Sequence, residues 1–171
     1  EEAMAEADNY DVLVVNQIGS GTDVEAFATA TDPPDTGVVY LDQWGAASNG
    51  ITALSDATQN PVVTGQSTQN DRPVFEVVTG HPLFDGVATA GERVQIHNQS
   101  RGDIAWFDRY QGTTLATVGD GSDTSGTGIA IDESTQSVLL SSLGRTTTVR
   151  NTHLTNDANE ILGNAVVYAN S

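Results

Sequence analysis

Short apolar runs, many of them β-branched, recur along the chain between clusters of Gly, Pro, Ser, Thr, Asn and Asp, as in a domain rich in strands. Tyr10-Asp-Val-Leu-Val-Val-Asn16 is nearly continuous in its apolar character, the mark of a strand buried on both faces of a parallel sheet. Gly19-Ser-Gly21 turns the chain, and Thr22 or Asp23 caps a predicted helix through Thr29. Asp32-Pro-Pro-Asp35 ends that helix, and residues 37–42 form a second strand. Ser48 or Asn49 starts another helix through Ala57, and residues 61–64 form a short third strand. Strand, helix, strand, helix, strand implies a parallel sheet with right-handed crossovers. The second half is richer in strands, at residues 74–78, 93–97, 104–107, 114–118, 128–131 and 137–141. Asn156 or Asp157 caps a last helix to about Ala169, with Ile161, Leu162, Ala165, Val166 and Ala169 on one face. The fold class expected is a single three-layer α/β domain over 10–171, mostly parallel, behind an acidic arm or linker over 1–9.

Composition changes that picture in two ways. The 171 residues carry 23 acidic side chains against 6 basic ones, a net charge of −17, and all six bases are arginine. That balance excludes phosphate-tracking nucleic-acid binders and proteins that dock on anionic membranes. No apolar stretch approaches the roughly 20 residues of a membrane span, so no membrane insertion is expected. Hydrophobic residues, at 37%, gather into the runs above, which a disordered acidic chain would lack. Self-repulsion at this charge weakens the compact state in dilute buffer, and molar salt, with a Debye length of about 3 Å, removes most of it. Fifteen short Asp carboxylates and no lysine resemble the proteins of extreme halophiles, haloarchaea above all. An ordinary acidic secreted domain is the alternative. The first residue is Glu1, which reads as a mature product or excised domain. An extracellular or cell-surface location is expected, with a salt-saturated cytoplasm as the other possibility. Cysteine is absent, which removes disulfides, thiolate metal sites and a thiol nucleophile together.

Four segments follow one another in the second half: Gly80-His-Pro-Leu-Phe-Asp-Gly-Val87, Ile104-Ala-Trp-Phe-Asp-Arg-Tyr110, Ser137-Val-Leu-Leu-Ser-Ser-Leu-Gly144 and Glu160-Ile-Leu-Gly-Asn-Ala-Val-Val-Tyr-Ala169. In this order they resemble the class I glutamine amidotransferase-like superfamily, nearest to its ThuA-like (trehalose-utilisation) branch. The resemblance implies a flavodoxin-like sandwich with an HP turn, an AW strand, an SLG strand and a terminal NA helix. The departures bear on activity. The segment Pro61-Val-Val-Thr-Gly-Gln-Ser67 puts Ser67 where that family carries its nucleophilic cysteine, in a strand-to-helix elbow. Arg145 replaces the histidine of the SLGH pattern, and no HPE triad signature occurs. Glutaminase chemistry is thereby excluded.

Several residues remain as candidates. Ser67, at the expected end of the third strand, would need a general base. His153 is the base available, and Asp157 or Glu160 could orient it. The plain reading is a loop or cap hydroxyl and a solvated histidine. Gln69 stands where a G-x-S-x-G elbow needs glycine. Asp42-Gln43-Trp44 follows the second strand and would make a sugar platform, an apolar ring beside polar groups; an edge-of-core tryptophan is the alternative. His81, held extended by Pro82, reads as a structural hydrogen-bonding residue or a ligand contact, with Phe84 anchoring its turn. Trp106 and Tyr110 read as core cover, and His97 as surface. The three histidines show no zinc spacing, and no metal or cofactor is expected. The acidic loop 120–126 lacks EF-hand spacing and reads as a hydrated loop, with calcium as the alternative. Asn98-Gln-Ser100 is a glycosylation sequon, relevant on an exported chain. The function expected is a non-catalytic binding or accessory module of a larger exported halophilic protein, with a carbohydrate or a neighbouring domain as partner. A degenerate ThuA-like hydrolase of a carbohydrate or ester, using Ser67 and His153, is the alternative.

Overall fold

The computed structural model describes residues 9–15, 36–41, 63–67, 74–98, 104–107, 112–118, 126–133, 136–141, 143 and 154–171, the segments 63–67 and 104–107 by their backbone alone. Nine strands lie among them: β1 (Val12–Val15), β2 (Gly37–Tyr40), β3 (Val63–Ser67), β4 (Val74–Val77), β5 (Arg93–Gln95), β6 (Ile104–Phe107), β7 (Thr113–Val118), β8 (Gly126–Asp132) and β9 (Ser137–Leu140). A 3-10 turn spans Pro82–Phe84, and helix α1 spans Asn156–Ala169. The helices expected over 22–29 and 48–57 lie outside the described residues.

The fold is α/β: a mixed sheet with the C-terminal helix α1 packed on it. Seven strands follow one hydrogen-bonded path, β1-β2-β9-β8-β7-β4-β5, while β6 joins at β8 and carries β3. β1 pairs with β2, and β2 with β9, in parallel. The other six pairings among the described residues are antiparallel. The described sheet is therefore parallel only across β1, β2 and β9, where the sequence led us to expect parallel pairing throughout most of it. The physical reason lies in the connections. Only seven residues separate β7 from β8, and four separate β8 from β9, too few for a crossover, so the chain folds back on itself.

Burial follows the sequence pattern. β2 and β9 are buried at every position, and β8 at all but the last, as their continuous apolar runs require. β4 alternates, burying Phe75 and Val77 while Val74 and Glu76 stay half-covered. These side chains form one core with Leu83, Phe84, Val94, Ile96, Leu115, Val118, Ile129, Ile131, Val138 and Leu140. On α1, Ala158, Ile161, Ala165 and Ala169 face this core, one residue per turn, and Leu162 and Val166 flank them. The small residues let the helix lie close: the carbonyl of Ala169 sits directly against Gly37 of β2, leaving no room for a Cβ there.

The cap of α1 is Thr155, one residue before the expected Asn156 or Asp157. Its Oγ1 accepts from Ala158 N at 3.0 Å and donates to Gln95 O at 2.8 Å. A single hydroxyl thus starts the helix and ties it to β5, a bond that Asn156 or Asp157 does not make. Asp157 then occupies the first turn, favourable at the positive end of the helix dipole.

Candidate functional site

Two edges of the sheet matter. β1, β2 and β9 run the same way, so their carboxyl ends share one edge, and the ladder extends to Leu41, whose N donates to Val15 O at 2.8 Å. Open α/β sheets take ligands at such an edge. Asp42, Gln43 and Trp44 follow Leu41 immediately in the chain and lie outside the described residues. β4 opposes β7, β7 opposes β8 and β8 opposes β9, so β4 runs against β9. The turn after β4 therefore lies at the other edge, beside the connection from Asp132 to Ser137.

At that second edge the described residues bring titratable side chains together. His81, extended at φ −153° and ψ 150°, caps the 3-10 turn by accepting Leu83 N on Nδ1 at 3.2 Å. Pro82 sits at the first turn position, where its missing N–H costs no hydrogen bond. Leu83 and Phe84 drive into the core, at 0% and 2% exposure, so Phe84 is the anchor the sequence implied. Two residues of α1 grip the turn from outside. Asn164 Nδ2 donates to Leu83 O at 3.1 Å and to Asp85 O at 3.0 Å. Tyr168 meets the His81 ring edge-on, with centroids 5.0 Å apart at 73°. Gly86 takes a positive φ of 78° under the Glu160 carboxylate, which a side chain at 86 would meet.

Electrostatics define what these groups do. Burial holds the His81 imidazole below its usual pKa, and Glu133 and Asp85 push it partly back. With Nδ1 accepting a backbone N–H, the neutral ring carries its proton on Nε2. Burial raises the Tyr168 phenol, and Glu133 and Asp132 raise it further, so it stays protonated. His81 thus makes a structural hydrogen bond within the turn. Among the described residues, no group of three or more His, Asp or Glu is placed to hold a metal ion.

The other sequence candidates fall as follows. Ser67 is the last residue of β3, in register with Ile104 of β6, and β3 is antiparallel to β6. The expected strand ended at residue 64; the observed ladder continues through Gly65 and Gln66 after an irregularity, so the backbone at Ser67 is strand rather than elbow. His153 lies outside the described residues, as do Arg145, Tyr110 and the loop 120–125. Asp157 and Glu160 are exposed on α1. His97, expected at the surface, is 2% exposed. It forms an antiparallel bridge with Leu154, while Thr155 N donates to Ile96 O at 3.1 Å and Asn98 Nδ2 to Leu154 O at 2.8 Å, so the approach to α1 covers it. Asn164, Tyr168 and Glu133 were not singled out, although Asn164 and Tyr168 stand inside the terminal-helix segment that carried the resemblance. No helix among the described residues is long and apolar enough to cross a membrane. Comparisons with protein-family models, curated proteins and solved structures find no match.

Proposed function

We propose that this chain is a non-catalytic, amidotransferase-like binding module of a larger exported halophilic protein, with a carbohydrate ligand or neighbouring domain met by Asp42, Gln43 and Trp44. The observation that carries the proposal is the parallel trio β1-β2-β9. β2 is buried along its length and its ladder persists to Leu41 at the shared carboxyl edge, with Asp42, Gln43 and Trp44 next in the chain. A tryptophan ring beside a carboxylate and an amide suits a sugar, whose apolar face stacks while its hydroxyls take the polar groups. The second support is the HP turn. In this chain its histidine packs on Tyr168 and Asn164 donates to Leu83 O, so both fasten α1 to the turn, which is scaffold work. The finer fold belongs to the same proposal: a three-layer flavodoxin-like sandwich, since parallel neighbours such as β1 and β2 need a crossover between them. The brine setting rests on the surplus of 17 negative charges and the exclusive use of arginine.

The test is a tryptophan-fluorescence titration with a panel of oligosaccharides in molar KCl, on the wild type and Trp44→Phe. Saturable quenching that disappears in Trp44→Phe is the expected result. Quenching that persists in the variant removes the platform, and no response to any sugar leaves a neighbouring domain as the ligand.

A further inference from the structure

The His81 turn has a bond that one proton can break. Nδ1 receives the Leu83 N–H at 3.2 Å, which only an unprotonated nitrogen does. The same turn presents the carbonyls of Leu83 and Asp85 to Asn164, in the second half of α1, and the ring packs on Tyr168 one turn further along. Three contacts thus join the helix to the turn that this one bond caps. The groups facing the imidazole are Asp85 from the turn, Glu133 just after β8 and Tyr168 from α1, while Asp132 acts on Tyr168 and Glu160 of α1 lies over Gly86. The titratable side chain of β4, Glu76, is engaged instead by Arg93 Nη2 at 3.0 Å. The neighbours that bear charge are all carboxylates, so an imidazolium has an arrangement of its own, swung out of the cap towards Asp85 and Glu133.

We propose that His81 is a pH-operated clasp: neutral, it holds the 81–87 turn against the C-terminal half of α1, and protonated on Nδ1 it releases that half of the helix. The two arrangements compete for one proton. Closed, Nδ1 has no room for a hydrogen against the Leu83 N–H; open, the ring is solvated and faces carboxylates, so the open form binds the proton more tightly. Its stability contribution is therefore complete above the ordinary histidine range and is lost as pH falls through it. Across the ordinary histidine range, from about pH 7.5 to about pH 5.5, the open fraction rises by up to about tenfold. The carboxyl edge and its proposed ligand take no part, so the clasp stands or falls independently of the binding reading.

Amide hydrogen exchange of residues 164–168, corrected for intrinsic rates and measured in molar KCl at about pH 7.5 and about pH 5.5, reads the release directly. The wild type is expected to lose up to about tenfold of protection at the lower pH. His81→Asn keeps a cap acceptor that does not titrate, so its protection should not change with pH beyond the background seen in His153→Asn. An equal loss in His81→Asn and wild type, or no loss in the wild type, overturns the clasp. Side-chain 15N shifts of His81 in the wild type provide a reading free of any folding defect in the variant. A proton on Nε2 at the higher pH is expected, and a proton on Nδ1 there would equally overturn it.

Discussion

Gly37 and Gly163 test how α1 is seated, because the same substitution at the two should act in opposite directions. At Gly37, buried in β2, a methyl group would land on the carbonyl oxygen of Ala169, with the Ala169 carbonyl carbon 2.6 Å and its Cα 3.0 Å away. Every atom in its path is backbone, so no side chain can swing aside, and the last turn of α1 must back off from the sheet. That turn holds Ala165 and Ala169, 0% and 2% exposed. Overpacking of this kind costs about 1–3 kcal/mol, and a clash made wholly with backbone belongs at the upper end. At about 2–4 °C per kcal/mol for a chain of this size, Gly37→Ala should lower Tm by roughly 6–12 °C. Gly163 lies exposed in the interior of α1, where an added Cβ meets nothing within 4 Å. Replacing a helical glycine by alanine in open space stabilises by about 1 kcal/mol, so Gly163→Ala should raise Tm by roughly 2–4 °C. Urea unfolding and thermal melts of both variants in molar KCl give the comparison. A Gly37→Ala protein as stable as the wild type would refute the close seating of α1 on β2.

Asn164→Ala removes two donated hydrogen bonds, to Leu83 O and Asp85 O, and should cost about 1–2 kcal/mol in urea unfolding, whereas Asn159→Ala, which loses one local bond to Thr155 O, should cost less. Gln136, between β8 and β9, holds a φ of 52°, a left-handed backbone that burdens any L side chain. Gln136→Gly should therefore stabilise by about 0.5–1 kcal/mol, and a loss of stability on that change would mean the side chain holds the turn. With 23 acids against 6 bases, Tm should fall steeply as KCl is lowered, and a Tm indifferent to KCl would remove the halophilic reading.

What the sequence displayed well was local. The runs that became β2, β4, β8 and β9 are recognisable because β-branched and aromatic residues cluster between turn formers, and the His81-Pro82 turn because proline fixes its neighbour. Direction was not local. The apolar run before Ser67 has the same look whether its partner is parallel or antiparallel, and its pairing with β6 is decided by residues about forty positions further on. The choice of Thr155 over its equally suitable neighbours as the helix cap came from the carbonyl of Gln95, far away in sequence. His97 is buried for the same reason: Leu154, which bridges it, belongs to a distant segment that no pattern around residue 97 announces. The candidate site divides likewise. His81 was visible in its motif, while Tyr168 and Glu133 join it only through the docking of α1 and the end of β8.

The claim most open to direct refutation is that the scaffold binds without catalysing. Fluorophosphonate labelling in molar KCl, on the wild type and Ser67→Ala and read by intact mass, addresses it at Ser67, where the proposed amidotransferase-like reading puts a nucleophile. Folded protein with no adduct in either form is the expected result. A single adduct on the wild type that vanishes in Ser67→Ala would contradict it, and would make Ser67 an activated nucleophile with His153 the first base to examine.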